Sequence, residues 1–164
     1  MRVSLAAFLV IACVPSGSDL LTAGTNVPLR SNGMPAPERC PRHTLEVMEA
    51  AELRPGDSSA RVELDANQFE YEPLTLTAGP IESIMMLPMG RLGGATRLYG
   101  RVWTSGPRVV IRYYHAQRAG GNVLPICAVA RLGGGELEGK PGKFPHSTEL
   151  PYSIAFAFVV QDFL

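Results

Sequence analysis

Between residues 97 and 117 the chain reads RLYGRVWTSGPRVVIRYYHAQ, and side-chain character alternates on both sides of a Thr104-Ser105-Gly106-Pro107 turn. Alternation with period two marks a half-buried strand. Pro107 has no N–H to give to a ladder, so it belongs in the loop. A loop of four residues sets Trp103 opposite Arg108, Arg101 opposite Val110, Tyr99 opposite Arg112 and Arg97 opposite Tyr114. Leu98, Val102, Val109, Ile111 and Tyr113 then share an apolar face, and Arg97, Tyr99, Arg101, Trp103, Arg112 and Tyr114 share an Arg–aromatic one. A slip of one residue would exchange the two faces, so the register is fixed by whichever face meets a core. A lone hairpin is marginal in water, and the rest of the chain has to supply more sheet.

It does. Residues 61–65, 74–77, 81–87, 123–131 and 152–160 read as further strands, with Gly- and Pro-containing turns between them, which brings the count to seven. Short strands at this spacing indicate an all-β domain, a β-sandwich or small barrel of antiparallel strands. One short helix precedes them at residues 44–53 (TLEVMEAAEL), with Thr44 as N-cap and Arg54-Pro55-Gly56-Asp57 as its stop. Residues 133–145 read as a long loop. In the last strand Tyr152, Ile154, Phe156, Phe158 and Val160 fall on one face and Ser153, Ala155, Ala157 and Val159 on the other. The large face is expected to be core, and the small face to seat the helix.

The N-terminus has one cation, Arg2, then ten apolar or small residues (VSLAAFLVIA) and Cys13, the layout of a secretory leader. Val10-Ile11-Ala12-Cys13 resembles the lipobox of bacterial lipoproteins. That resemblance implies a signal peptide at residues 1–12, removed by cleavage, and acylation of Cys13. Val14 follows the cysteine where an Asp would retain a lipoprotein at the inner membrane, so outer-membrane anchoring is expected, facing the periplasm or the cell surface. Ordinary cleavage after Ala12 and a buried N-terminal strand are the alternatives. Residues 13–39, rich in Ser, Gly, Pro, Asn and Thr, read as a lipid-anchored flexible tether, and residues 40–164 as the β-rich domain.

With Cys13 acylated, Cys40 and Cys127 remain, and in an oxidising compartment a disulfide between them is expected. The alternatives are two free thiols, with Cys127 a buried hydrophobe, or a metal site from Cys40, His43 and Glu46, whose spacing matches no strong ligand pattern.

Fifteen basic and fifteen acidic residues give a net charge of zero, which removes a global case for nucleic-acid binding. No Gly-x-Ser-x-Gly elbow, His-Glu-x-x-His helix or phosphate loop occurs; in Gly139-Lys140-Pro141-Gly142-Lys143, proline stands where the hydroxyl should be. No catalytic residue and no cofactor motif is assigned, and an enzyme is not expected. His115 reads as an edge-of-core histidine, while His43 and His146 are isolated in sequence.

Residues 98–104 (LYGRVWT), 109–113 and Leu124-Pro125-Ile126-Cys127, with Cys40-Pro41 upstream, resemble a family of small secreted bacterial lipoproteins of unknown function. The similarity runs over residues 40–145, with Ile126 where that family has Val. It implies an exported β-rich domain with a paired cysteine and brings no catalytic residues. Two functional expectations follow. The hairpin's Arg–aromatic face is a binding surface for cell-wall glycan, lipopolysaccharide phosphates or an envelope protein, because rings stack on flat ligands and guanidinium forks bind anions. Otherwise it is a solvated sheet face on a purely structural envelope protein. A carbohydrate-active hydrolase ranks third, since fifteen carboxylates leave room for a catalytic pair.

Overall fold

A computed structural model describes residues 17–68 and 72–164. Its centre is a closed barrel of six antiparallel strands: β2 (Ser59–Glu63), β4 (Gly79–Met85), β5 (Arg97–Trp103), β6 (Val110–Gln117), β7 (Val123–Arg131) and β10 (Ile154–Val159). Their order around the barrel is β10-β2-β4-β5-β6-β7, closed by β7 pairing with β10. A second sheet joins β3 (Leu74–Thr77), β9 (Ser147–Leu150) and β8 (Lys140–Pro141) in the order β3-β9-β8. A two-residue strand β1 (Glu38–Arg39) pairs with β11 (Asp162–Phe163). All seven strands expected from alternation are present, and the barrel, not the sandwich, is the architecture.

The interior explains a reversal. On β10 the small face is the buried one: Ala155, Ala157 and Val159 are at most 1% exposed, whereas Phe156 is 38% exposed. Six strands enclose little space, so a wall of large residues on every strand would overfill it. Ala157 lies opposite Ala60 on β2 and Ala130 on β7, and Ala128 lies opposite Tyr113 on β6. These alanines make room for Tyr113, Met85 and Leu98, all buried. Tyr113 brings a hydroxyl into this core and shares a 2.7 Å hydrogen bond with Ser83, which donates at 2.6 Å to the Leu64 carbonyl. Burial pushes the Tyr113 hydroxyl above its ordinary pKa, opposed by the bond to Ser83.

The helix also differs from expectation. α2 spans Arg42–Ala50 with Pro41 at its N-cap position and no side-chain cap bond, and Thr44 is a buried residue inside it. It packs against β7, not on the small face of β10, which lines the barrel. There Cys40 and Cys127 form the expected disulfide, with Cα atoms 6.0 Å apart. The Met48 sulfur accepts the Cys127 N–H at 3.1 Å. Within the expected loop, 133–145, lies β8, and β9 follows just after it: two- and four-residue strands carry too little alternation to be seen.

Residues 17–39 do not behave as a spacer. A short helix α1 (Gly17–Thr22) packs on β4 and β5, with Leu20 buried. The chain then crosses the hairpin, turning through Arg30 N–H to Met34 O at 2.8 Å and Ala36 N–H to Pro28 O at 2.8 Å, before it becomes β1. Low hydropathy and many prolines conceal a segment that is held by contacts distant in sequence. Residues 1–16, with the leader and Cys13, lie outside the described residues.

Candidate binding surface

The hairpin's expected Arg–aromatic face is largely occupied by this strap. Two bulges shift the register, one between Tyr99 and Gly100 and one between Tyr113 and His115. In the hairpin itself the connection is six residues, 104–109, which sets Trp103 opposite Val110 and Arg101 opposite Arg112, and the bulge at Tyr99/Gly100 then sets Tyr99 opposite His115 and Arg97 opposite Gln117. The expected pairs, Trp103 with Arg108 and Tyr99 with Arg112, do not occur. Gly100 belongs to the first bulge, where a Cβ would collide with the Arg112 carbonyl.

Arg112 is 1% exposed. Its Nη1 donates to the Ala36 carbonyl at 2.9 Å and its Nη2 to the Leu164 carbonyl at 3.3 Å. The guanidinium carbon lies 5.5 Å from the Trp103 ring centroid and 5.1 Å from that of Phe163, so two rings enclose the cation. Glu38 is 3.7 Å away, and its Oε2 accepts the Tyr114 hydroxyl at 3.0 Å. Burial pushes the Arg112 guanidinium below its ordinary pKa, against the pull of Tyr114 and Glu38. Burial, then Glu38, raises the Tyr114 hydroxyl. Arg112 therefore fastens the strap and β11 to the barrel, and Trp103 is buried beneath them.

The rest of the expected face is only partly open. Arg97 pairs with Glu82, which with its hydrogen bond raises the arginine's pKa. The half-buried Tyr99 donates to Gln117 Oε1 at 2.9 Å. Arg101 is half-buried and makes no ion pair among the described residues. Cys40 is consumed by the disulfide, and among the described residues no group of three or more His, Cys, Asp or Glu could hold a metal ion. His115 is half-buried on β6, and His43 is exposed on α2.

A second Arg–aromatic surface lies on the far side, where the reversal of β10 turns its large residues outward. Phe156 has Arg61 of β2 as its register partner on one side and Arg131 of β7 on the other. Phe158, in turn, lies between Ser59 and Val129, and its ring centroid is 6.3 Å from that of Phe156. Arg61 and Arg131 make no side-chain hydrogen bond or ion pair among the described residues. The row opens into a groove of about 540 Å³ lined by Pro55, Arg131, Phe158, Val160, Asp162 and Leu164. Here Phe156 and Arg61 are exposed, whereas Trp103 and Arg112 on the hairpin are buried.

Sequence reasoning assigned Phe156 and Phe158 to the core and so missed this face. The available signal was the set of alanines at 60, 128, 130, 155 and 157, the small residues a narrow barrel needs on its inner wall. The chain matches no family model and no curated protein.

Proposed function

We propose that this protein is an exported lipoprotein, anchored through Cys13 to the outer membrane and facing the periplasm or cell surface, that acts as a non-enzymatic binding or envelope-assembly module. The observation that carries the reading is the exposed Phe156 with, in register on either side, an arginine that has no ion pair among the described residues. Export is supported by the leader-like N-terminus and by the oxidised pair Cys40–Cys127, a state typical of extracytoplasmic compartments.

The strap changes how such an anchor would work. Four residues, 13–16, would join the acylated cysteine to the start of α1, a reach of about 14 Å at full extension. In the barrel order two strands separate β5 from β10 in either direction, so α1, packed on β4 and β5, lies across the barrel from β10. Anchoring on the α1 side would turn the Phe156 face away from the bilayer, toward a partner.

The test compares wild type with Arg61→Glu/Arg131→Glu in cells, using a photo-reactive residue at position 158 and cell-wall retention as readouts. Loss of crosslinked adducts and of retention in the double variant supports the module. Identical adducts and retention would eliminate this face and leave a purely structural envelope protein.

A further inference from the structure

We infer that the β2-β10-β7 face takes an anionic glycan, a short saccharide carrying two phosphate or carboxylate groups about 10 Å apart; the inference rests on the reading of this face as the binding surface. Neighbouring strands lie about 4.8 Å apart, so the Cα atoms of Arg61 and Arg131, two strands apart with Phe156 between them, are separated by about 10 Å. Each guanidinium can grip one anion in two-pronged fashion. The phenylalanine between them offers a flat apolar plate to the carbon face of a sugar ring. Among the described residues neither cation is engaged by a carboxylate; Glu63 on β2 and Asp162 on β11 pair with neither.

The closed barrel argues for a saccharide over a peptide strand. β2, β10 and β7 each have a neighbouring strand on both sides in the closed barrel, and the part of β2 outside its ladder with β4, Ser59–Arg61, is three residues long, a short edge for an extended peptide to add a strand. Recognition has to come from side chains standing off a sheet, and these are forks and rings. The groove beyond Phe158 continues the surface along the strand direction, room for the chain to extend past the two gripped groups.

The test uses the full chain in detergent micelles and, as probe, a glucosamine disaccharide phosphorylated at both ends, titrated calorimetrically. Comparators are the unphosphorylated disaccharide, inorganic phosphate and an acidic octapeptide. Saturable binding of the bisphosphorylated probe is expected. It should be about tenfold weaker in Arg61→Gln and in Arg131→Gln, weakened likewise in Phe156→Ser, and fall with added salt. Thermal melts show whether each variant is folded, and because all three positions lie on the outer face, melts close to wild type are expected. No saturable binding, equal affinity for the neutral sugar, or affinity unchanged in both arginine variants would overturn the inference. Tighter binding of the peptide would overturn it too, in favour of a protein partner. If crosslinking from position 158 still depends on the two arginines while the probe fails to bind, the surface stands and the ligand class is wrong. If both fail, the surface itself is wrong.

Discussion

Replacing Arg112 tests how the strap is held. In Arg112→Ala the carbonyls of Ala36 and Leu164 lose their donors, Trp103 and Phe163 lose the cation between them, and Glu38 keeps only Tyr114. Hydrogen bonds from a charged donor contribute about 1.5–3 kcal/mol each, and the guanidinium's own desolvation offsets part of that. The net loss should be about 3–5 kcal/mol, in the range for breaking a buried charged cluster. For a domain of this size that lowers Tm by on the order of 8–16 °C. Arg112→Met, which fills the volume without the charge, should cost about half as much. Urea unfolding gives the free energies, and amide exchange locates them: the N–H groups of Arg30 and Ala36, bonded within the strap, should lose protection in Arg112→Ala before the barrel does. A loss below about 1 kcal/mol, with strap protection unchanged, would refute the view that Arg112 fastens this segment.

The orientation of β10 is tested by a pair of substitutions. Phe156→Ser should cost about 1 kcal/mol, because the ring lies on the outer face and is 38% exposed, whereas Ala157→Phe should prevent folding or cost several kcal/mol by overfilling the barrel; equal losses in chemical denaturation would reverse the faces again. Reducing Cys40–Cys127, which are 87 residues apart, should destabilise by about 4.5 kcal/mol in the chain-entropy model, read as the shift in urea midpoint with and without reductant. Alkali should be harmful through Tyr113 and Tyr114, whose pKa values are raised in the fold. The folded state keeps their protons while the unfolded chain gives them up near pH ~10, so their stabilisation is complete below that pH and declines above it. The decline is at most about 1.4 kcal/mol per pH unit for each tyrosine, and Tyr113→Phe should remove one such share from the slope measured between pH 10 and 11.

Strand existence was legible because alternation on 97–103 and 110–117 survives any tertiary context that leaves one face in the core. Register was not: the connection is six residues rather than four, which moves the pairs next to the turn, and the bulges at Tyr99/Gly100 and Tyr113/His115 move those beyond them and are set by neighbours that local pattern cannot see. The same limit misplaced the candidate surface. Large residues were assigned inward on Phe156 and Phe158, which holds for a sandwich, but a six-stranded barrel reserves its inside for alanine on three adjacent strands. Arg112 looked solvent-facing because the carbonyls of Ala36 and Leu164 that hold it are 76 and 52 residues away in sequence. The disulfide was legible through the expectation of export, since Cys40 and Cys127, set apart from the leader-like segment, would have each other as partners in an oxidising compartment.

Intact-mass analysis of the protein extracted from membranes tests the central claim directly. The predicted species begins at Cys13, carries the added mass of acyl chains, and is two hydrogens lighter than the form with both remaining thiols reduced. A full-length 17.6 kDa chain without lipid, recovered from the cytosol with Cys40 and Cys127 open to alkylation, would contradict export, anchoring and the bridge together.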